Sequence, residues 1–291
     1  MNDVLKLTSA RALRDLMARH GFQLKKQYGQ NFLVDERVLD AIAAASGLTH
    51  SDGALEIGPG AGVVTRRLAE RAKSVVAIEK DRSLAPVLAE SLKGCNNVEI
   101  VYDDVLEVDL ARIWKHFAEA GCEHVAVVAN LPYYITTPIL FHLFDAGVDW
   151  ARMVVMVQRE VAQRMAAPPG GKTYGALSVA VQYRADVQTV ARVSPGSFLP
   201  PPDVESAVLC LERRLTTPVA VTDEAAFFRV VRAAFATRRK TLANALSTGL
   251  GIPKESALTL LARTGVDGGR RGETLTLAEF ANIANTLVQP S

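Results

Sequence analysis

The sequence predicts an α/β protein with a mainly parallel sheet, followed by a small all-helical domain. Three observations lead to this prediction. Short apolar runs alternate with amphipathic segments between residues 54 and 211, a glycine-rich loop follows the first of these runs, and strand-like runs cease after Arg214. Such alternation is typical of a parallel sheet with helices on both faces.

Length and composition allow two domains and exclude several classes of protein. The chain has 291 residues, is 49% hydrophobic and carries a formal net charge of +2. At ~150 residues per domain, this length predicts one large domain and one smaller domain. Because the charge is nearly balanced, a polyanionic partner must be bound by local basic patches. No apolar run approaches the ~18 residues of a membrane helix, and no secretory signal is present. We therefore expect a cytoplasmic protein that does not bind membranes.

The three cysteines, Cys95, Cys122 and Cys210, are far apart and form no CxxC pair, and the five histidines are scattered. This spacing favours neither a zinc site nor a disulfide framework. We expect no metal site, and we interpret the histidines as structural or surface residues.

The chain begins with a predicted helical extension, residues 1–50. A helix is expected over Thr8–His20, with Gly21 as its stop. A loop rich in Lys, Gln and Gly follows, and Asp35 is the predicted cap of a second helix that ends near Ala45.

The central part of the chain is predicted to contain seven strands. Amphipathic helices lie between most of them, for example Val63–Arg71 and Leu84–Leu92. The predicted strands are Ala54–Ile57, Ser74–Ile78, Val98–Tyr102, Val125–Ala129, Met153–Gln158, Val187–Val193 and Ala207–Leu211.

After these strands the pattern becomes helical. We predict helices over Ala225–Ser247, Lys254–Arg263 and Leu277–Leu287. The predicted domains are therefore residues 1–214 and residues 215–291. A helical domain of this length lies in the usual lower range.

The loops after the first three strands indicate a nucleotide-like cofactor. The first strand is followed by Gly58-Pro59-Gly60-Ala61-Gly62, the second ends at Glu79, and the third is followed by Asp103-Asp104. Glycines allow close approach to a ligand, and an acid about twenty residues later suits ribose hydroxyls. Dinucleotides and S-adenosylmethionine both fit this layout, and the glycines could also simply turn a strand into a helix. The loop alone leaves these alternatives open.

The residues Asn130-Leu131-Pro132-Tyr133 after the fourth strand favour methyl transfer to an adenine amine. The N6 amine is a poor nucleophile because its lone pair is delocalised into the ring. The Asn130 side-chain carbonyl and the Leu131 backbone carbonyl could accept hydrogen bonds from its two N–H groups. Pro132 biases Leu131 toward an extended conformation. Tyr133 offers an aromatic face to a base that has left its helix.

The alternative for these four residues is an ordinary strand-to-loop turn, in which Asn and Pro are common. Their position after the fourth strand, with the glycine loop after the first strand and Glu79 after the second, favours the methyltransferase. A nicotinamide enzyme has no use for this tetrad there.

A second aromatic residue, Phe198, lies in a proline-rich loop. The stiff loop could present Phe198 as the opposite wall of a base sandwich. The alternative is that Phe198 fills the core beneath the loop.

These motifs together resemble those of the bacterial small-subunit (16S) ribosomal RNA adenine dimethyltransferases, over nearly the whole chain. The resemblance rests on several segments in family order. They are Gly29-Gln30-Asn31-Phe32-Leu33, Glu56-Ile57-Gly58-Pro59-Gly60, Glu79-Lys80-Asp81, Asp104, Asn130-Leu131-Pro132-Tyr133-Tyr134, Val157-Gln158-Arg159-Glu160-Val161, Tyr174-Gly175, Phe198 with the prolines up to Val204, and Phe235-Ala236-Thr237-Arg238-Arg239-Lys240-Thr241-Leu242.

The resemblance implies a Rossmann-like class I methyltransferase domain that uses S-adenosylmethionine. The implied reaction is N6,N6-dimethylation of two adjacent adenosines in the 3′-terminal hairpin loop of 16S rRNA, within the assembling small subunit. The expected cofactor contacts are Asn31, Leu33, Gly58, Gly60, Glu79, Asp104 and Asn130. The expected catalytic, base-facing residues are Asn130, Leu131, Pro132, Tyr133 and Phe198.

Basic residues supply the expected RNA contacts. We predict that Arg238, Arg239 and Lys240 lie on one long helix and bind phosphate, as do Lys25 and Lys26 before the cofactor loop. The alternative is a solvated helix face or a favourable interaction with a helix C-terminus. We expect a monomer.

Three other functions stay open at this point. One is a methyltransferase acting on a large-subunit (23S) adenine, and the second is a DNA adenine methyltransferase, which needs a larger target-reading region. The third is a ribosome assembly factor without methyl transfer, which the intact Asn130 tetrad disfavours.

Overall fold

The computed structural model describes residues 7–24 and 29–289. Two compact units are present in it. The first runs to Ala162 and resumes over Gln188–Arg213, and the second comprises Gln163–Val187 and the described residues from Arg214 onward. Among all the residues described, no helix is both long enough and apolar enough to cross a bilayer.

The described elements follow the predicted alternation of strands and helices. The strands are β1 (Phe32–Leu33), β2 (Gly53–Ile57), β3 (Ser74–Ile78), β4 (Val98–Val101), β5 (Val125–Asn130), β6 (Arg152–Gln158), β7 (Ala185–Val193), β8 (Phe198–Leu199) and β9 (Ser206–Arg213). The helices are α1 (Ala10–Arg19), α2 (Glu36–Ala45), α3 (Val63–Ala69), α4 (Ala85–Ser91), α5 (Leu110–Glu119), α6 (Thr136–Asp145), α7 (Arg159–Met165), α8 (Ala176–Arg184), α9 (Glu224–Ala236), α10 (Leu242–Leu250), α11 (Lys254–Thr264) and α12 (Leu277–Val288).

The main sheet has the strand order β4-β3-β2-β5-β6-β9-β7. The pairs β2–β3, β3–β4, β2–β5 and β5–β6 are parallel, whereas β6 and β9 are antiparallel. The prediction of a mainly parallel α/β sheet is therefore confirmed. Strand β2 has β3 on one side and β5 on the other, so the strand order reverses at β2. The carboxyl ends of β2 and β5 therefore border a crevice, and ligands bind in such crevices of parallel sheets.

The N-terminal extension contains two helices, and the cap predicted at Asp35 is present. The hydroxyl of Ser9 accepts a hydrogen bond from the backbone N–H of Ala12 at 3.1 Å, and Asp35 accepts one from that of Arg37 at 3.1 Å. Each bond satisfies a backbone donor that the first helical turn leaves free. Between the two helices, β1 pairs with β8, and the sequence pattern did not indicate this ladder.

The predicted long helix over Ala225–Ser247 is wrong. The structure has two helices there, α9 and α10, separated by a turn over residues 237–241. The helices pack so closely that a Cβ atom placed on Gly249 would lie 2.5 Å from the Cβ of Ala233. The turn consists of polar residues without Gly or Pro, and such residues are equally common on the solvent face of a helix, so no helix end was indicated there.

The second unit also includes α8, which the sequence assigned to the first predicted domain. The ring of Tyr183 stacks on Phe227 of α9 at 4.9 Å between centroids, and Arg184 pairs with Glu224 at 2.6 Å. A single domain boundary at residue 214 separates α8 from α9, although the two helices contact each other.

Candidate active site

An open cleft lies at the carboxyl ends of the parallel strands. The parallel register places Ile57 of β2 beside Ala129 of β5, and therefore brings the loops after these strands together. Ten of the residues proposed from sequence line this cleft: Asn31, Leu33, Gly58, Gly60, Glu79, Asp104, Asn130, Leu131, Pro132 and Tyr133.

The glycine loop after β2 has a backbone that other residues rarely adopt. Gly58 has φ +72° and Gly60 has φ +58°. A Cβ atom at Gly60 would also lie 2.9 Å from the ring of Phe32, a residue to which the sequence assigned no role. Phe32 is buried and also lines the cleft. Glycine is therefore required at position 60 by both backbone conformation and space.

Glu79, at the end of β3, is held by backbone donors. Its carboxylate accepts hydrogen bonds from the N–H of Gly60 at 3.2 Å and from that of Asp81 at 2.8 Å. The side chain is 7% exposed, and burial raises its pKa above the usual range. These bonds fix the carboxylate at the glycine loop, where its remaining lone pairs can accept ligand hydroxyls.

Glu56 is a second acid of the cleft, and sequence reasoning gave it no role. Its side chain is only 2% exposed, and Oε2 has no hydrogen-bond partner among the described residues. Burial, together with the nearby charge of Glu79, raises the pKa of Glu56 to about 8. The signal in the sequence is a lone acid inside an otherwise apolar strand. Glu56 is therefore largely neutral near pH 7 in the folded protein.

Asp104, after β4, already has partners on both carboxylate oxygens. One oxygen accepts from the ammonium of Lys80, and the other accepts from the backbone N–H of Leu106 at 3.1 Å. Partial burial opposes ionisation, but the bonds to Lys80 and Leu106 lower the pKa of Asp104. A ligand amino group at this position would share an ionised carboxylate with Lys80.

The turn after β5 is fixed by hydrogen bonds from several directions. The side-chain amide of Asn130 donates to the backbone carbonyl of Asn31 at 3.1 Å, which leaves its oxygen as the end that can accept. The N–H of Leu131 donates to the carbonyl of Met156 on β6 at 3.1 Å. The Leu131 side chain is buried. Neither Asn130 nor Leu131 can reorient without losing these bonds.

The two tyrosines of this turn have different surroundings. The hydroxyl of Tyr133 is 2.6 Å from that of Ser206 at the start of β9, and its ring is partly buried. Tyr134 is 59% exposed, and its ring lies close to Gly29. The sequence analysis selected Tyr133 as the aromatic face and assigned no role to Tyr134, although both line the cleft.

Phe198 does not line the cleft in this structure. It is 4% exposed, is part of the hydrophobic core, and pairs with Leu33 in the β1–β8 ladder. Its position corresponds to the alternative expectation, a residue that fills the core beneath the proline-rich loop. For Phe198 to stack on a base opposite Tyr133, this loop would need a different orientation.

Of the proposed RNA-binding residues, the three that the structure describes do not line the cleft. Arg238, Arg239 and Lys240 are exposed in the turn between α9 and α10, and not on a helix as predicted. The Arg238 guanidinium donates to the backbone carbonyl of Lys172. Lys25 and Lys26 lie outside the described residues.

The buried Glu56 carboxyl predicts a specific pH dependence of stability. Its pKa is raised to about 8 in the folded protein. The stabilisation that comes from the neutral carboxyl is fully present below the pKa of the unfolded chain and is lost as the pH rises through about 8. We expect Glu56→Gln to reduce this loss by a few kcal/mol, as measured by urea unfolding at several pH values.

The exposed Glu107 provides the control, since Glu107→Gln should leave the slope of stability against pH unchanged. An equal slope for wild type and Glu56→Gln would contradict a proton held on Glu56.

Comparisons with known proteins give the family. Residues 21–289 match the family described as "Ribosomal RNA adenine dimethylase". A relative from Bacillus mycoides (strain KBAB4), named "Ribosomal RNA small subunit methyltransferase A", is 48% identical over 278 residues, which cover 94% of this chain and 95% of the relative. A relative from Bacillus cereus (strain B4264) with the same name is 49% identical with the same coverage.

Two solved structures are similar over most of their length. A dimethyladenosine transferase from Plasmodium falciparum has a TM-score of 0.70 and 26% identity, covering 87% of this chain and 95% of that one. The 23S rRNA methyltransferase ErmE has a TM-score of 0.66 and 26% identity, covering 89% of this chain and 100% of that one. The glycine loop, the acid after β3 and the tetrad after β5 share one cleft in a chain whose sequence matches this family almost throughout, and the chain therefore belongs to the ribosomal RNA adenine dimethylase family.

Proposed function

We propose that this protein transfers methyl groups from S-adenosylmethionine to the N6 atoms of two adjacent adenosines in 16S rRNA. The proposed targets lie in the 3′-terminal hairpin loop of the assembling small subunit. One observation carries the proposal: the Asn130 turn lies in the same cleft as the glycine loop and Glu79. The family match and the names of the relatives support the substrate class.

The donor and acceptor groups of the cleft fit S-adenosylmethionine better than a dinucleotide. A pyrophosphate needs free N–H groups in the glycine loop. Here the N–H of Gly58 donates to the carbonyl of Ile78 at 3.0 Å, that of Gly60 donates to Glu79, and that of Gly62 donates to Pro59 at 2.9 Å. Glycine N–H groups that are used inside the protein cannot bind phosphate as well, and the carboxylate of Glu79 disfavours a second anion.

The proposed cofactor residues would bind S-adenosylmethionine along the cleft. Glu79 would accept hydrogen bonds from the ribose hydroxyls, Asp104 from the adenine amino group, and Gly58 would allow close approach of the methionine part. Asn31 and Leu33 would close the site from the other side. When bound, S-adenosylmethionine supplies an electrophilic methyl group on a positively charged sulfur.

The Asn130 turn would activate the target amine by accepting its hydrogen bonds. The Asn130 amide oxygen and the Leu131 carbonyl are two acceptors on adjacent residues. When both N–H groups of N6 donate hydrogen bonds to these oxygens, a tetrahedral nitrogen is favoured. Its lone pair is then no longer delocalised into the ring. This catalysis consists of positioning and electrostatic stabilisation, and the proton of the methylated amine leaves to solvent.

Methylation of a large-subunit adenine is the second candidate function. The structural similarity to ErmE supports it, because ErmE is named a 23S rRNA methyltransferase. The curated relatives at 48–49% identity, named as small-subunit enzymes, favour the 16S reading. A cytoplasmic location and a monomeric state stay predictions.

The direct test is a tritiated-methyl assay on undermethylated small subunits, followed by nucleoside analysis. We expect N6,N6-dimethyladenosine, and primer extension should locate it at two adjacent adenosines of 16S rRNA. Methylation of 23S rRNA alone would support the second candidate. Bound subunits without any methyl transfer would support a non-catalytic assembly factor.

Asn130→Ala should lower turnover by roughly 10²–10³-fold, because one acceptor for the developing charge is removed. Cofactor affinity should change only modestly, through loss of the bond to Asn31. Single-turnover kinetics and titration calorimetry measure the two effects. Asn97→Ala is the control, since the Asn97 amide donates only to the backbone carbonyls of Ala69 and Ala72. Near-normal turnover of Asn130→Ala would refute the proposed role.

Glu79→Ala should weaken S-adenosylmethionine binding by roughly tenfold or more, because charged hydrogen bonds of this kind contribute about 1.5–3 kcal/mol. Titration calorimetry checks the affinity, and thermal unfolding of the same variant checks the fold. An unaltered affinity in a folded variant would remove Glu79 from the cofactor site.

The basic turn between α9 and α10 should determine part of the salt dependence of RNA binding. Neutralising Arg239 and Lys240 together as glutamines should reduce the slope of log affinity against log salt by about 2, one for each phosphate contact. The matched control neutralises two exposed cations of α11, Lys254 and Arg263. If both double variants change the slope equally, the turn has no specific role in RNA binding.

A further inference from the structure

Tyr133 is held by a residue that no motif of the cleft includes. Its phenolic oxygen lies 2.6 Å from the hydroxyl oxygen of Ser206, 73 residues later in the chain. Ser206 is the first residue of β9 and is only 1% exposed. It does not line the cleft, so it contacts Tyr133 from the protein interior.

The position of Ser206 is itself fixed by the sheet. It pairs with Gln158 at the end of the antiparallel β6–β9 ladder. The preceding residue, Glu205, is attached to Arg159 twice, through its backbone carbonyl at 2.9 Å and through its carboxylate at 2.6 Å. The backbone of Ser206 is therefore fixed, and its hydroxyl extends from a rigid strand.

The remaining hydrogen bonds of the turn hold its backbone and do not involve the Tyr133 ring. The carbonyl of Pro132 accepts from the N–H of Ile135 at 3.1 Å and from the hydroxyl of Thr136 at 3.0 Å. These bonds set the path of the chain before and after Tyr133. They do not restrict rotation about the Cα–Cβ bond of Tyr133, whereas the hydrogen bond at its phenolic oxygen does.

We propose that Ser206 is a positioning residue, which holds the ring of Tyr133 in the orientation that stacks on the target adenine. The inference rests on the proposed function. A base that leaves its helix loses stacking, and a pre-oriented aromatic ring restores part of it without the entropic cost of ordering a free side chain. Ser206 touches neither substrate nor cofactor in this proposal.

Burial raises the pKa of the Tyr133 hydroxyl, and the bond to Ser206 opposes this rise. The hydroxyl is consequently protonated at all physiological pH values. The bond between the two hydroxyls therefore persists across the pH range in which the enzyme would work.

The test is a double-mutant cycle of Ser206→Ala and Tyr133→Phe, each of which removes one hydroxyl and keeps the remaining shape. Each single variant should lower kcat/KM for undermethylated small subunits by about tenfold, because it removes the one hydrogen bond that orients the ring. The double variant should be no worse than either single variant, because both remove the same bond. Affinity for S-adenosylmethionine should stay unchanged in all three.

The control is Ser91→Ala, which removes the hydroxyl of another fully buried serine, one that donates to the carbonyl of Leu88. It should reproduce any general loss of stability without lowering kcat/KM. A double variant about a hundredfold below wild type would show independent effects and overturn the inference. Normal kcat/KM for Ser206→Ala would also overturn it.

A second measurement does not depend on activity. In protein labelled with 13C,15N-tyrosine, the Tyr133 signal is identified by its absence in Tyr133→Phe. The three-bond couplings across its Cα–Cβ bond should report one rotamer in wild type and an average over rotamers in Ser206→Ala. If wild type transfers no methyl group to small subunits while this change is seen, the proposed function fails and the contact that orients the ring stands. Unchanged couplings in Ser206→Ala would overturn the inference itself.

Discussion

The parallel pairing of β2 with β5 is the constraint on which the candidate site depends. Backbone hydrogen bonds along this pair fix the register from Gly53 and Val125 to Ile57 and Ala129. The glycine loop and the Asn130 turn begin at the next residues and therefore emerge side by side. A shift of one residue in this register would reverse the side chains of a whole strand. The relative position of cofactor loop and acceptor turn thus follows from the sheet core.

Hydrogen bonds from outside the sheet complete this geometry. The N-terminal segment contributes the carbonyl of Asn31, β6 contributes that of Met156, and β9 contributes the hydroxyl of Ser206. Each contact orients a different residue of a short turn. A site that relies on two acceptor oxygens and one ring needs such support, because small displacements weaken directional interactions strongly.

Much of the fold was accessible from sequence, for identifiable reasons. Five of the seven strands of the main sheet are mostly buried apolar runs flanked by turns, and such runs are the strongest local signal. The ladder of β1 and β8 was not accessible, since two residues per strand leave no periodicity. The break between α9 and α10 was missed because no Gly or Pro interrupts residues 225–247, although the apolar spacing stops over the polar residues 237–241.

The same distinction applies to the cleft. Eight of the ten proposed residues that line it follow strand ends, and strand ends can be predicted, whereas Asn31 and Leu33 were proposed from the family resemblance. The environments of Tyr133, Tyr134 and Phe198 could not be predicted, since each depends on a partner far along the chain. Glu56 was visible as an acid within an apolar strand, but its neutral state depends on burial that only the folded protein shows.

The small ladder of β1 and β8 has a mechanical consequence. Phe32 and Leu33 pair with Leu199 and Phe198, and the N–H of Val34 donates to the carbonyl of Ser197 at 2.9 Å. The segment expected beside the cofactor and the proline-rich loop therefore cannot be displaced independently. A ligand that restricts the motion of one segment also restricts the motion of the other. A second ligand then loses less conformational entropy on binding.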